Sequence, residues 1–210
     1  MIHAPSAVDA PRTARRRPGA PLRTLVVTPS LLGVGAYARL VRDDCVRELS
    51  TGVAAPPVLA CLPHVRAASV AHLVPARGAL TGVSALWVHG WAANEPLPVA
   101  ITVAARPGVR LSEPAGTLAA WRAVTHEGSV EHAEAIGGTA VAHPAGAVAT
   151  ALAHDSLRHA IPAAWWALDA LGVPPRDVEA LLPRRGPSTR RAWQAWRAVR
   201  NARSGTYEPS

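Results

Sequence analysis

The most chemically suggestive residues of this chain stand at its end. The stretch GPSTRRAWQAWRAVRNARSGTYEPS sets Arg190, Arg191, Arg197 and Arg200 around Trp193 and Trp196, with Glu208 as its one acid. A planar guanidinium binds phosphate in two-pronged fashion, and basic groups interleaved with aromatics suit a nucleic-acid backbone and its bases. The same residues also fit an ordinary last helix. At about 100° per residue, Ala192, Ala195, Trp196, Val199 and Ala202 share one face. Arg190, Gln194, Arg197 and Asn201 lie opposite, and Trp193 and Arg200 fall on a flank. A second basic group, Arg39, Arg42 and Arg47, is offset by Asp43, Asp44 and Glu48. Both groups are candidate DNA-binding residues, and the terminal one carries the larger uncompensated charge.

Other constellations point less clearly to chemistry. His126, Glu131, His132 and Glu134 cluster in one stretch, and Asp155 and His159 would share a helix face if one helix ran through both. Neither group has the tight H-x₃-H or C-x₂-C pairs usual in zinc sites, and surface histidines on polar strand faces account for them better. Ser84 and His89 are spaced along a predicted helix without a G-x-S-x-G elbow, and His89 before Gly90 suits the negative end of a helix dipole. Phosphate-cradling G-x-G-x-x-G and G-x-x-x-x-G-K loops are absent. Cys45 and Cys61 form no C-x-x-C pair, which favours a reducing compartment. No catalytic residue, metal, cofactor or small-molecule substrate is expected.

The charge distribution sharpens the nucleic-acid expectation. The chain has 210 residues and a net charge of +8, with every basic side chain an arginine. Residues 1–23 carry five arginines against one aspartate, and residues 181–210 carry seven against one glutamate. Residues 24–180 hold ten arginines against twelve acids, so the body is nearly neutral. An arginine run, an apolar stretch and the small-x-small sequence Ala36-Tyr37-Ala38 imitate an export signal. Arg23 and Pro29 interrupt that stretch and Arg39 follows at once, so a cytoplasmic chain without a membrane span is expected.

The elements that must position these residues follow from periodicity and punctuation. Residues 1–23, rich in proline and arginine, cannot repay the entropy of ordering and are expected to form a disordered basic arm. Residues 24–58 read as a short helix, a second helix around Tyr37–Arg42, and a strand pair turning at Gly52 and stopped by Pro56-Pro57. That is the order of a small winged helix-turn-helix. Residues 59–182 read as an α+β body. It opens with a helix over Val65–Val74, then a helix capped by Thr81 and ended by Gly90. Strands follow in VAITVAA, GVRLS, WRAVTH and SVEHAEAIGGTAVAH, with Gly137-Gly138 as a hairpin turn, making a mostly antiparallel sheet flanked by helices. Pro144 and Pro162 each begin a helix, and Pro174-Pro175 opens a short one through Leu182. Residues 183–210 form a basic amphipathic helix, Thr189–Arg203, and a tail.

Taken in order, ALTGVSALWVHGW, LPVAITVAARPGVRL, IGGTAVAHPAGAVATALAHDS and AAWWALDALGVPPRDVEALLPRRG resemble the AbiEi-like antitoxins of type IV toxin–antitoxin systems. The resemblance runs over roughly residues 30–208. The family's Ser-x-x-Ser-Ala…His-Gly helix is similar to Thr81, Ser84, Ala85, His89 and Gly90. Its Thr-Ser-Pro-x-Arg-Thr…Asp stretch is similar to Ala142, His143, Pro144, Ala145, Gly146, Ala147 and Thr150, where the arginine and aspartate are missing. Its basic Arg-Arg-Gly-Val-Tyr wing corresponds to Ser50-Thr51-Gly52-Val53-Ala54. The same region forms the front half of longer proteins ending in a very-short-patch-repair-like endonuclease, and SGTYEPS is similar to the start of that nuclease. The resemblance implies a winged-helix head and a non-enzymatic transcriptional regulator that binds DNA and opposes or represses a toxin gene. Its partners would be that operator or the cognate toxin. The alternative is the orphaned front half of a nuclease-type protein, acting as a protein-interaction module.

Overall fold

The computed structural model describes residues 25–75, 78–93, 99–103, 121–125 and 132–204. The expected arm, the GVRLS segment, His126, Glu131 and Glu208 lie outside them. Among the described residues the chain is mixed α+β. It begins with α1 (Pro29–Leu32), α2 (Val34–Arg42) and the hairpin of β1 (Arg47–Ser50) and β2 (Val53–Ala55). Val27 bridges Ala54 on the free side of β2, adding a third short strand-like piece. Gly52 takes the positive φ of 71° that the tight turn needs. A small cluster of Tyr37, Val46 and Ala54, with Val27, Leu40 and Val41 against it, holds α2 on the hairpin.

The body follows as α3 (Pro63–Val70) with a 3-10 turn at Ala71–Leu73, β3 (Gly78–Leu80), α4 (Gly82–His89), β4 (Val99–Val103), β5 (Trp121–Thr125), β6 (Ala133–Ile136) and β7 (Thr139–Ala142). Four helices complete it: α5 (Pro144–His154), α6 (Leu157–Ala170), α7 (Pro175–Leu181) and α8 (Thr189–Ser204). The sheet order is β5-β4-β3-β7-β6. It is mixed, which corrects the mostly antiparallel expectation: β3–β4 and β6–β7 are antiparallel, while β4–β5 and β3–β7 are parallel. The cause is β3, a three-residue strand hidden in what reads as the approach to a helix. It inserts between β4 and β7 and pairs parallel with β7, while β5 and β6, which a simple meander would pair, stand at opposite edges. Leu80 pairs with Ile101 on one side and Val141 on the other, placing three large apolar side chains on one face. All of β4 is buried, as befits a central strand covered on both faces.

Helix α5 is the hub of the helical layer, packing on α4, α6, α7 and α8. Its alternating alanines let four neighbours approach closely, and Ala145 and Ala147–Ala153 are all buried. Helix α4 is buried from Gly82 to Val88. Thr81 occupies its N-cap position, but its hydroxyl makes no capping bond and has no partner. Asp155 caps α4 from a distance instead, its carboxylate accepting the Val83 N–H at 2.9 Å. Gly82 has φ of 56°, and a Cβ built there would stand 2.1 Å from Asp155 Oδ2.

Two further expectations are corrected. Helix α6 starts at Leu157, so Pro162 lies inside it rather than at its start. Pro162 is exposed, and the single backbone bond its missing N–H forfeits does not end a helix whose Ala160, Ala163, Ala164 and Ala167 are packed into the core. Helix α5 ends at His154, so Asp155 and His159 stand on either side of a break and share no helix. No helix among the described residues is long and apolar enough to cross a membrane.

Trp196 is 2% exposed and anchors α8, its indole N–H donating to Glu179 Oε1 at 3.0 Å, whereas Trp165 is 46% exposed. Trp196→Ala is therefore expected to cost about 3–5 kcal/mol, the range for deleting a large buried aromatic. Trp165→Ala should cost less than about 1 kcal/mol. Denaturant midpoints of the two variants check this, and equal losses would contradict the packing described.

The α4 cap can be tested by a double-mutant cycle. Asp155→Ala should cost about 1–3 kcal/mol by orphaning a buried N–H, and Gly82→Ala at least about 2 kcal/mol through positive-φ strain and the clash. The double variant should lose less than their sum, because removing the carboxylate also removes the clash. Strict additivity would mean that the two residues do not meet.

Candidate nucleic-acid interface

Two surfaces carry the arginines singled out in the sequence. The first is the outer face of α2. Tyr37, Leu40 and Val41 turn inward, which leaves Val34, Gly35, Ala38, Arg39 and Arg42 outward on one stripe. Arg47 stands exposed at the start of β1. Arg42 Nε lies 2.9 Å from Asp43 Oδ1, with the arginine side chain 74% exposed. Such a surface pair is worth at most about 1 kcal/mol, so a phosphate could compete for Arg42.

Glu48, counted in the sequence as an offsetting acid, is committed within the fold. Its Oε1 accepts the Gly52 N–H at 2.9 Å and the Tyr37 hydroxyl at 3.1 Å, tying the hairpin turn to α2. Burial first, and then the bond to Glu48, push the Tyr37 phenol up to about 12.

The second surface is α8, where the four candidate arginines divide into two pairs. Arg191 donates to the Asp155 main-chain carbonyl, binding α8 to the α5–α6 junction. Arg200 Nη1 donates to Glu179 Oε1 at 2.6 Å, and the Trp196 indole together with Arg200 holds that carboxyl below its ordinary value. Arg190 and Arg197 stay exposed on the face they share with Gln194 and Asn201. They are two turns apart, about 10.5 Å along the axis at about 1.5 Å per residue. Ala202, expected on the buried face, is exposed. Trp193 is half-buried on its flank, and its indole N–H donates to the Pro183 carbonyl at 3.1 Å. Arg184 and Arg185 are exposed just before α8, and the signal for them is local, since PRRGPS marks an exposed basic loop.

The serine and histidines are used structurally. Ser84 Oγ accepts the Ala100 N–H at 2.9 Å, joining α4 to β4. His89 Nε2 lies 3.1 Å from the Ala142 carbonyl and 3.9 Å from Glu134. Burial lowers the pKa of His89, favouring the neutral ring over a charge on the helix dipole. No group of three His, Cys, Asp or Glu among the described residues is placed to hold a metal.

Sequence reasoning also missed Arg66, on α3. Its guanidinium is buried over the Trp87 ring and donates to the carbonyls of Ala60, Trp87 and Ala92. An arginine in a weakly amphipathic helix reads as surface, and only the tertiary structure reveals the carbonyls that receive it.

The Tyr37 environment gives a pH test. Between pH 10, the ordinary phenol value, and about 12, the unfolded tyrosine is ionised while the folded one keeps its proton. The folded state then binds more protons, so the stability contributed by Tyr37 is present below pH 10 and falls as pH rises through that window. Ultraviolet titration, with Tyr37→Phe subtracted, should place the Tyr37 midpoint near 12. Glu48→Gln should lower it but leave it above 10, because burial is the larger cause. A midpoint at 10 in the parent protein would contradict the bond.

Compared with known proteins, the chain matches no protein-family model, no curated protein and no solved structure.

Proposed function

We propose that this chain is a cytoplasmic, non-catalytic, AbiEi-like transcriptional regulator of the antitoxin type, which binds DNA and opposes or represses a cognate toxin gene. The observation that carries this reading is the arrangement of residues 27–55. A bridged strand, two helices joined at Gly33 and a hairpin follow one another in the order of the recognition half of a winged helix. In that arrangement α2 takes the place of the helix that enters the major groove, and it turns Arg39 and Arg42 outward. Exposed Arg190 and Arg197, with Arg184 and Arg185 nearby in sequence, supply a second region for sequence-independent phosphate contact.

A second reading has its own support. Arg191 and Arg200 are engaged inside the protein, and Trp165 is exposed on α6. These features favour a non-catalytic protein-interaction module.

Salt dependence separates the two. Each phosphate contact contributes about 0.9 to the slope of log affinity against log salt. Arg190→Ala with Arg197→Ala should flatten the slope by up to about 1.8. Arg200→Ala should add less, since Glu179 already holds that guanidinium. Replacing Arg39, Arg42 and Arg47 should change the slope less than replacing the terminal pair, because Asp43 and Asp44 stand beside them. The slopes are measured on duplex DNA from about 50 to 200 mM salt. An unchanged slope in the terminal variant would assign Arg190 and Arg197 to a solvated face, and no binding by the parent protein would favour the interaction module.

The non-catalytic part of the proposal has a separate test. The purified chain should leave DNA intact with Mg²⁺ or Mn²⁺ present, since no paired carboxylates are expected to carry metal-assisted hydrolysis. Reproducible cleavage abolished by Glu208→Ala would overturn it.

A further inference from the structure

Three features of α2 go beyond a generic phosphate-binding helix. Val34 is 74% exposed, and it shares the outward stripe with Gly35 and Ala38. The only polar side chains on that stripe are Arg39 and Arg42, and both stand in the last turn. Finally, a Cβ built on Gly35 meets nothing within 4 Å. A glycine inside a helix destabilises it relative to alanine, and here neither its backbone angle nor a close neighbour requires it. The missing side chain leaves room for something outside the protein to approach the backbone.

We infer that the outward face of α2 reads thymine methyl groups in the major groove, through Val34 and Ala38, with Gly35 permitting close approach. The inference rests on the DNA-binding reading above and names what the helix recognises. A recognition helix presents its N-terminal residues to base edges, while groups farther along reach the backbone. On α2 the N-terminal residues offer no hydrogen-bonding side chain, so guanine, cytosine and adenine edges find no matching donor or acceptor there. The C5-methyl of thymine is the one major-groove feature that an apolar side chain recognises. Val34 supplies two methyl groups for that contact and Ala38 one. Arg39 and Arg42 complement the charge of the flanking phosphates. The hairpin turn at Thr51-Gly52 carries no cation, so the discrimination falls on α2.

The test compares alternating dA·dT, dA·dU and dG·dC duplexes of one length, binding the full chain and read by fluorescence anisotropy. Uracil differs from thymine only in lacking the methyl group. The dA·dT duplex should bind tighter than dA·dU by about fourfold for each methyl buried. Val34→Ser should reduce that preference to at most the share carried by Ala38 while leaving the salt slope unchanged. Gly35→Ala should weaken binding to both duplexes without lowering the thermal midpoint, since no neighbour is displaced. Equal affinity for dA·dT and dA·dU with a normal salt slope would overturn methyl reading while leaving DNA binding in place. Tighter binding of dG·dC would overturn it in favour of arginine reading guanine. An undiminished preference in Val34→Ser would overturn the residue assignment, and no binding to any duplex would remove this inference and the DNA-binding reading together.

Discussion

The body of this protein is organised around a buried helix whose first turn takes its partner from a distant part of the chain. Helix α4 is buried from Gly82 to Val88, so the N–H groups of its first turn have no water to turn to, while Gly90 and Trp91 N–H close its C-terminal turn on the Trp87 and Leu86 carbonyls. At its N-terminus the Asp155 carboxylate, from the end of α5, accepts the Val83 N–H. An acid there also meets the positive end of the helix dipole. At its C-terminus Arg66, from α3, donates to the Trp87 carbonyl. Each group is itself buried; the Val83 N–H has Asp155 as its partner, and the Trp87 carbonyl accepts from Arg66 in addition to the Gly90 N–H. Two charged side chains from distant parts of the chain thus fix α4 along its axis.

That constraint propagates outward. Asp155 can reach α4 only because residue 82 is glycine, and the Asp155 main-chain carbonyl receives Arg191 of α8. The capping acid therefore joins α4 to the last helix as well as to α5. Glu179 plays a related part at the other flank of α8, accepting from both Trp196 and Arg200. Both tethers take cations from the basic helix and use them for packing. The hairpin repeats the pattern on a smaller scale, with Glu48 joining the turn to Tyr37.

Local signals in the sequence located most elements and missed the long-range ones. Glycine and proline punctuation placed α4, α5, α7, α8 and the β6–β7 hairpin, because those boundaries depend on backbone chemistry within a few residues. The strand β3 escaped because three residues cannot show a period, and with it went the mixed order of the sheet. Thr81 looks like a cap because threonine usually is one; a competing carboxylate seventy-odd positions later is invisible to any local rule. Pro162 was misplaced for the opposite reason, since tertiary packing of the surrounding alanines carries α6 through a residue that locally marks a start. Among the candidate site residues, type and spacing identified the arginines but not their partners. Helical spacing sets Arg190 and Arg197 outward, where the fold has them, and only the fold shows that Arg191 and Arg200 hold α8 to the body.

This division changes what the net charge means. In the sequence the terminal segment has a large uncompensated excess, and an electrostatic view would assign all of it to a polyanion. In the fold, Arg66 is buried against carbonyls, Arg191 serves a backbone oxygen and Arg200 serves Glu179. A guanidinium already bonded in the protein must give up that bond before it neutralises a phosphate, so its contribution to binding is the difference of two interactions. Among the cations that the fold leaves outward are Arg39 and Arg47 beside the hairpin, Arg184 and Arg185 before α8, and Arg190 and Arg197 on it. Arg39 and Arg47 stand on α2 and β1 and Arg190 and Arg197 on α8, so the outward charge is divided between two parts of the chain instead of resting on the terminal segment alone.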